Sequence, residues 1–170
     1  MTDRDHVMPT EEQKDDFRRV MGRLASGVCV VTARWGAQDH AMTATAVASV
    51  SLEPLLVMFA VHCDSRMRDA LEIADKWALN IMSQRGQADA EWLATPGRPI
   101  IGQLDRIPFK RGEASSAAIL DRTLSALECQ TENIYSAGDH DLVVGRVLAT
   151  HLGLNDSGLV HRNSEFFAVP

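Results

Sequence analysis

Three short segments hold the side chains best suited to chemistry. In His62-Cys63-Asp64-Ser65-Arg66-Met67-Arg68 an apolar run gives way to a helical pattern, with Asp64 or Ser65 at the cap. The unpaired N–H groups of a first helical turn favour an anion, and Arg66 and Arg68 would add charge-assisted bonds to a phosphate. The alternative is an ordinary capped helix with solvated arginines. In the segment from Gly138-Asp139-His140 to Gly145-Arg146-Val147, a tight turn sets His140 at the mouth of a long strand. An imidazole there can orient a polar ligand or exchange a proton near neutral pH; it can equally serve a turn-stabilising hydrogen-bond cluster.

The third segment, residues 41–51, alternates alanines with small hydroxyl residues where a strand ordinarily carries bulky branched side chains. Such a strand lets a flat ligand approach its backbone, or it packs tightly against a helix or a second subunit. Arg85, beyond the strand that holds Asn80, is a further phosphate partner or a surface charge. Nucleophilic catalysis has little support: Cys29 and Cys129 fall within apolar strands as small core residues, and Cys63 alone sits near a helix start. His6, His40, His151 and His161 stay in the background.

The elements that must position these residues follow from periodicity. Residues 16–26 repeat apolar side chains at helical spacing, with Asp15 or Asp16 as cap and Gly27 as stop. Strands are expected at 28–33, 42–50 and 55–61, the first two separated by a turn at 36–39. A helix at 65–74, a strand at 77–82 and a short helix at 88–93 come next. The Pro and Gly punctuation of residues 95–114 predicts a long irregular segment, serving as a lid or a subunit contact. The last third is strand-like, with strands at 124–130, 141–152 and 166–169. Strands in succession with helices only as insertions favour an antiparallel barrel. No G-x-G-x-x-G follows a strand and no phosphate-binding G-x-x-x-x-G-K-[ST] occurs.

Composition narrows the classes. A chain of 170 residues, 45% hydrophobic and 24% charged, suits one domain able to bury a core without disulfides. Its net charge of −6 argues against broad contact with nucleic acid or an anionic membrane. Three scattered cysteines form neither a disulfide framework nor a zinc motif, and no signal peptide or membrane helix is visible, so a cytoplasmic location is expected. No metal is expected.

Taken in order, Phe17-Arg18-Arg19-Val20-Met21-Gly22-Arg23-Leu24-Ala25-Ser26-Gly27-Val28, then Met42-Thr43-Ala44-Thr45-Ala46-Val47-Ala48-Ser49-Val50-Ser51, then Gly138-Asp139-His140, the chain resembles the short-chain flavin reductase family. The resemblance runs from Phe17 to Phe167. It implies a mainly β fold with helical insertions, an antiparallel split β-barrel of the FMN-binding type. Residues 1–15 would form a flexible tail and 16–170 the split-barrel domain. The implied activity is hydride transfer from NADH or NADPH to FMN or FAD, supplying reduced flavin to a partner monooxygenase. The implied assembly is a homodimer. Thr43, Ala44, Thr45, Ser49, Val50 and Ser51 would contact the flavin, and Ser65 with Arg66 would hold its phosphate. Asp64 and Asn80 complete the cofactor-binding set, and His140 would face the nicotinamide. The competing reading is a non-catalytic flavin-binding or storage protein of the same fold.

Overall fold

The computed structural model describes residues 8–99 and 101–170. The first helix, α1 (Glu11–Met21), starts five residues earlier than its periodicity suggests. Thr10 and Gln13 form a capping box, each side chain meeting the other's backbone N–H, and this reciprocal pair sets the start ahead of Asp15 and Asp16. Those aspartates instead pair with Arg18 and Arg19 at 2.7 and 2.6 Å. The helix ends at Gly22, while Ser26–Gly27 forms β1. The tail expected over residues 1–15 is therefore helical from Glu11 onward, and residues 1–7, with His6, lie outside the described residues. No residue of α1 is buried; Phe17 and Val20 are each 67% exposed.

The remaining elements are β2 (Cys29–Trp35), β3 (Gln38–Ala44), β4 (Val47–Leu52), β5 (Leu55–His62), α2 (Arg66–Ile73), β6 (Lys76–Met82), α3 (Gln87–Ala94), β7 (Phe109–Arg111), β8 (Ala118–Leu120), β9 (Thr123–Ala137), β10 (His140–Leu152), β11 (Gly158–Arg162) and β12 (Glu165–Val169). Seven strands form an antiparallel sheet in the order β3-β2-β6-β9-β10-β5-β4. Strands β1, β11 and β12 form a second sheet, and β7 with β8 a third.

The single strand expected over 42–50 is two strands. They occupy opposite edges of the seven-stranded sheet yet are joined only by Thr45 and Ala46. Ala44 and Val47 are three Cα steps apart, a reach of at most about 11 Å, so the sheet must curl until its edges approach each other. Small residues permit that corner, which is why the alternation of Ala with Thr and Ser reads as one continuous strand.

The curled sheet encloses Trp77 and Phe59, both fully buried, with ring centroids 4.9 Å apart in edge-to-face geometry. Burying a side chain of this kind stabilises the fold by roughly 2–3 kcal/mol. Gly145 has a packing reason: a Cβ there would lie 2.3 Å from the Trp77 ring and 3.1 Å from Cys129. A second cluster, with Val28, Val30, Leu93, Leu104, Ile107 and Leu120, anchors the irregular segment that follows α3. That segment is docked rather than free-standing: Leu104 and Ile107 are each 5% exposed, and Trp92 Nε1 donates to Gln103 O at 3.1 Å.

Strands β9 and β10 form a long hairpin whose loop is Gly138-Asp139. Gly138 takes φ 73° while Asp139 does not enter the left-handed region, as a type II′ turn requires. This turn delivers His140 to the end of the sheet, between Ala137 on one side and His62 on the other.

Candidate active site

Helix α2 begins as β5 ends. Ser65 caps it in extended backbone, its hydroxyl accepting from Arg68 N at 3.2 Å. Asp64 lies outside the helix, and its N–H donates to His62 Nδ1 at 3.1 Å. Facing the helix start are residues 40–42 of β3, and the 94–98 segment closes a third side. The cleft between them has a volume of about 630 Å³.

Its electrostatics are unusual. Arg66 Nη2 donates to Arg98 O at 2.9 Å, and Arg98 spends Nη1 on Thr95 O at 3.0 Å and Nη2 on Ala41 O. Among the described residues neither guanidinium is paired with a carboxylate, whereas neighbouring Arg68 is paired with both Glu72 and Asp141. Burial, and then the nearby Arg66 charge, lower the Arg98 pKa. Burial and Arg66 also push His40 below the ordinary imidazole range, so His40 is neutral at pH 7. His40 is 5% exposed, and both its ring nitrogens lack a partner, as does buried Arg98 Nε. Buried donors without acceptors are rare in folded proteins, and two beside unpaired cations fit an anionic group such as a flavin phosphate.

His140 lies one step beyond this cleft. Its ring stands 5.2 Å from that of His62, at 71°, and His62 lines the cleft. Nδ1 of His140 lies 2.7 Å from the Asp139 carboxylate. An ionised carboxylate only accepts, so Nδ1 carries the proton and Nε2 is left to accept, or to donate when the ring is charged. The bond to His140 holds the Asp139 carboxyl below its usual range.

Between cleft and corner runs the small-residue segment. Thr43 donates its hydroxyl to Ala90 O at 2.7 Å, fixing α3 to β3, and Ala44 points its methyl into the core. Thr45, Ser49 and Val50 are exposed. A bulge between Ser49 and Ser51 turns Val50 outward, and Ser51 Oγ accepts from Glu53 N at 3.1 Å. Both β3 and β4 are edge strands; Ala41 of β3 spends its outward N–H on Gln103 Oε1 and its C=O on Arg98, and the outward backbone groups elsewhere on the two strands have no neighbouring strand. Ser49 is opposite Val57, five residues before His62 at the other end of β5, a distance of about 16 Å along the strand.

One expectation is corrected, and two readings left open by the sequence are decided. Asn80 does not face the site. It is fully buried, Nδ2 donating to Val30 O and Ala118 O at 3.1 and 3.3 Å and Oδ1 accepting from Leu120 N at 2.9 Å, which leaves nothing for a cofactor. Arg68 turns away from the helix start toward Asp141, at 2.5 Å. Arg85 pairs with Asp156 at 3.0 Å and is not among the residues that line the cleft. Conversely, His40 and Arg98 enter the cleft although neither stands out in the sequence. The one available signal was an arginine within Thr95-Pro96-Gly97-Arg98-Pro99, where turn residues hold the backbone close to its neighbours. Cys29 and Cys129 are inert: burial pushes each thiol up to about 12, with Glu128 adding to the effect at Cys129.

The flavin reductase like domain model matches residues 21–170. The chain is 36% identical over 159 residues to the NADH-dependent FMN reductase AsuE2 of Streptomyces nodosus subsp. asukaensis, covering 92% of this chain and 85% of that protein. It is 36% identical over 148 residues to the reductase component of 4-hydroxyphenylacetate 3-monooxygenase from Thermus thermophilus, covering 87% and 91%. Among solved structures, BorF, the flavin reductase component of a bacterial two-component tryptophan halogenase, superposes with a TM-score of 0.87 at 32% identity, covering 92% of this chain and 98% of BorF.

Proposed function

Because the chain belongs to the flavin reductase like domain family, we propose that it is an NAD(P)H:flavin oxidoreductase that reduces FMN or FAD. When bound, flavin and reduced nicotinamide supply the hydride chemistry, and the protein supplies position and electrostatics. The observation that carries this reading is the cleft whose two arginines have no carboxylate partner among the described residues.

Ser65 and Arg66 hold the flavin phosphate at the start of α2, where the helix N–H groups add their partial charge. Asp64, at the rim, accepts a ligand hydroxyl. The free edges of β3 and β4 offer backbone groups to the ring's polar rim, with the hydroxyls of Thr43, Thr45, Ser49 and Ser51 along the same path. Val50 contributes small apolar surface, and Ala44, whose methyl faces the core, contributes its backbone. Donors aimed at a rim that becomes electron-rich on reduction favour the product side of the transfer. His140, oriented by Asp139, positions the nicotinamide carboxamide.

The product suits delivery to a flavin-dependent monooxygenase, as the name of the Thermus relative suggests. A homodimer is supported by the apolar side chains left uncovered, among them Phe17, Val20, Leu24 and Leu152. Free cysteines throughout fit a cytoplasmic setting. No helix of the described residues is long and apolar enough to cross a membrane.

Anaerobic mixing with FMN or FAD and NADH or NADPH tests the activity. Loss of oxidised-flavin absorbance above a protein-free control is expected. Flavin binding without that loss would instead support a storage protein.

A further inference from the structure

We infer that Arg98 and His40 complete the flavin site as its phosphate-recognising residues, so that the segment between α3 and β7 makes the chain select a phosphorylated flavin over riboflavin. The inference rests on the flavin reading above and deepens it.

The supporting observations are independent of the helix start. His40 enters the cleft from the opposite wall, on β3, with both nitrogens unpartnered and its ring nearly parallel to Trp35, centroids 6.1 Å apart. A neutral imidazole carries one N–H, and here that N–H has no acceptor. Arg98 approaches from the third wall. Its Nη atoms are spent on backbone carbonyls, which fix the guanidinium plane, and the remaining buried donor, Nε, is unused. Carbonyls cannot cancel the charge. Asp64, the one carboxylate among the cleft-lining residues, is exposed and bonds to neither arginine; its Oδ1 lies 3.9 Å from Cys63 Sγ.

The wiring also explains why Arg66 alone would not suffice. One of its Nη groups is committed to the Arg98 carbonyl, so Arg66 works partly by holding the 94–98 segment in place. Two guanidiniums and a neutral imidazole, converging from three elements, suit a doubly charged phosphate ester and give a neutral ribityl alcohol no comparable partner.

The test is a pair of flavin titrations, with FMN and with riboflavin, on the wild type and on R98A, R98K and H40F. R98A and R98K are expected to weaken FMN binding about tenfold or more while leaving riboflavin within about twofold. R98K restores charge but not the planar fork, so it should resemble R98A. H40F should weaken FMN several-fold with the ligand-free melting temperature retained, because no protein hydrogen bond is lost. Equal losses for both flavins, or no loss for FMN, would overturn the inference. Melting in millimolar inorganic phosphate separates it from the parent reading. Phosphate that protects the wild type but not R98A, with no flavin bound by either, would retain an anion site and reject the flavin assignment; no protection and no selective FMN loss would reject the anion site itself.

Discussion

Arg68 and Asp141 join the two halves of the candidate site. Arg68 Nε, in the first turn of α2, donates to Asp141 Oδ2 at 2.5 Å, and Asp141 directly follows His140. The helix whose start is proposed to hold the phosphate is thereby fixed to the strand that carries the imidazole. Both side chains are largely buried, and the bond from Arg68 holds the Asp141 carboxyl below its usual range.

D141N should therefore act on geometry more than on affinity. Losing the ionic bond leaves Arg68 with Glu72 alone and frees the end of β10. The expected outcome is a melting temperature lower by several degrees, a raised KM for the nicotinamide and a nearly unchanged Kd for oxidised flavin. Equal effects on KM and flavin Kd in steady-state and binding assays would show that the link is not directional.

His140→Ala should separate binding from turnover in the other direction. The side chain is half-exposed and, among the described residues, bonds to Asp139 alone, so little stability is at stake. A residue that positions or protonates a reacting group contributes about a hundredfold or more, and the carboxamide role proposed here should fall near the lower end. Stopped-flow reduction at saturating nicotinamide reads this, with flavin affinity as the control. Wild-type kinetics in the variant would remove His140 from the site.

The sequence carried the main helices and most of the long strands, but not β1, β7, β8 or β11, and it marked the two ends of the candidate site, because those depend on local signals. Gly138 at a positive φ, Ser65 ahead of a helical repeat, and Gly145 against Trp77 each mark themselves by residue type. The corner at Thr45-Ala46 was not legible, since alanine and threonine suit both a strand and a break in one. Nor were His40 and Arg98: what makes them notable is the lack of a partner, and partners are set by the folded chain. Asn80 failed for the same reason in reverse. A polar residue amid a strand reads as a ligand contact until the backbone of β8 is seen to occupy it.

Asn80→Ala should then cost stability and leave the site alone. It strands the Leu120 N–H and removes donors from the Val30 and Ala118 carbonyls, all in the interior. An orphaned buried group costs about 1–3 kcal/mol, so the variant should lose roughly 3 kcal/mol in denaturant unfolding. Flavin Kd, measured below the unfolding transition, should match the wild type; a selective loss of flavin would return Asn80 to the site.

Glu128 is a buried carboxylate that ties the stability of the fold to pH. It is 1% exposed, yet Oε2 accepts from Ala114 N, Ser115 N and Ser115 Oγ at 2.9, 2.6 and 2.7 Å, and Oε1 meets His151 Nε2 at 2.8 Å. The absence of a side chain at Gly112 makes the space, since a Cβ there would fall 2.3 Å from the carboxylate. Burial alone would raise the pKa, but the bonds from Ser115 and His151 outweigh it, and the folded value lies below the ordinary one. A carboxyl depressed by folding adds stability that is present above its unfolded pKa and is lost as pH falls through its folded value. The melting temperature of the wild type should accordingly drop below about pH 4.5. E128Q should lose about 2 kcal/mol at neutral pH, where a neutral amide replaces an ionised acceptor, and should show a shallower decline in acid. Parallel acid limbs for the two chains in a series of thermal melts would assign the transition to other carboxylates.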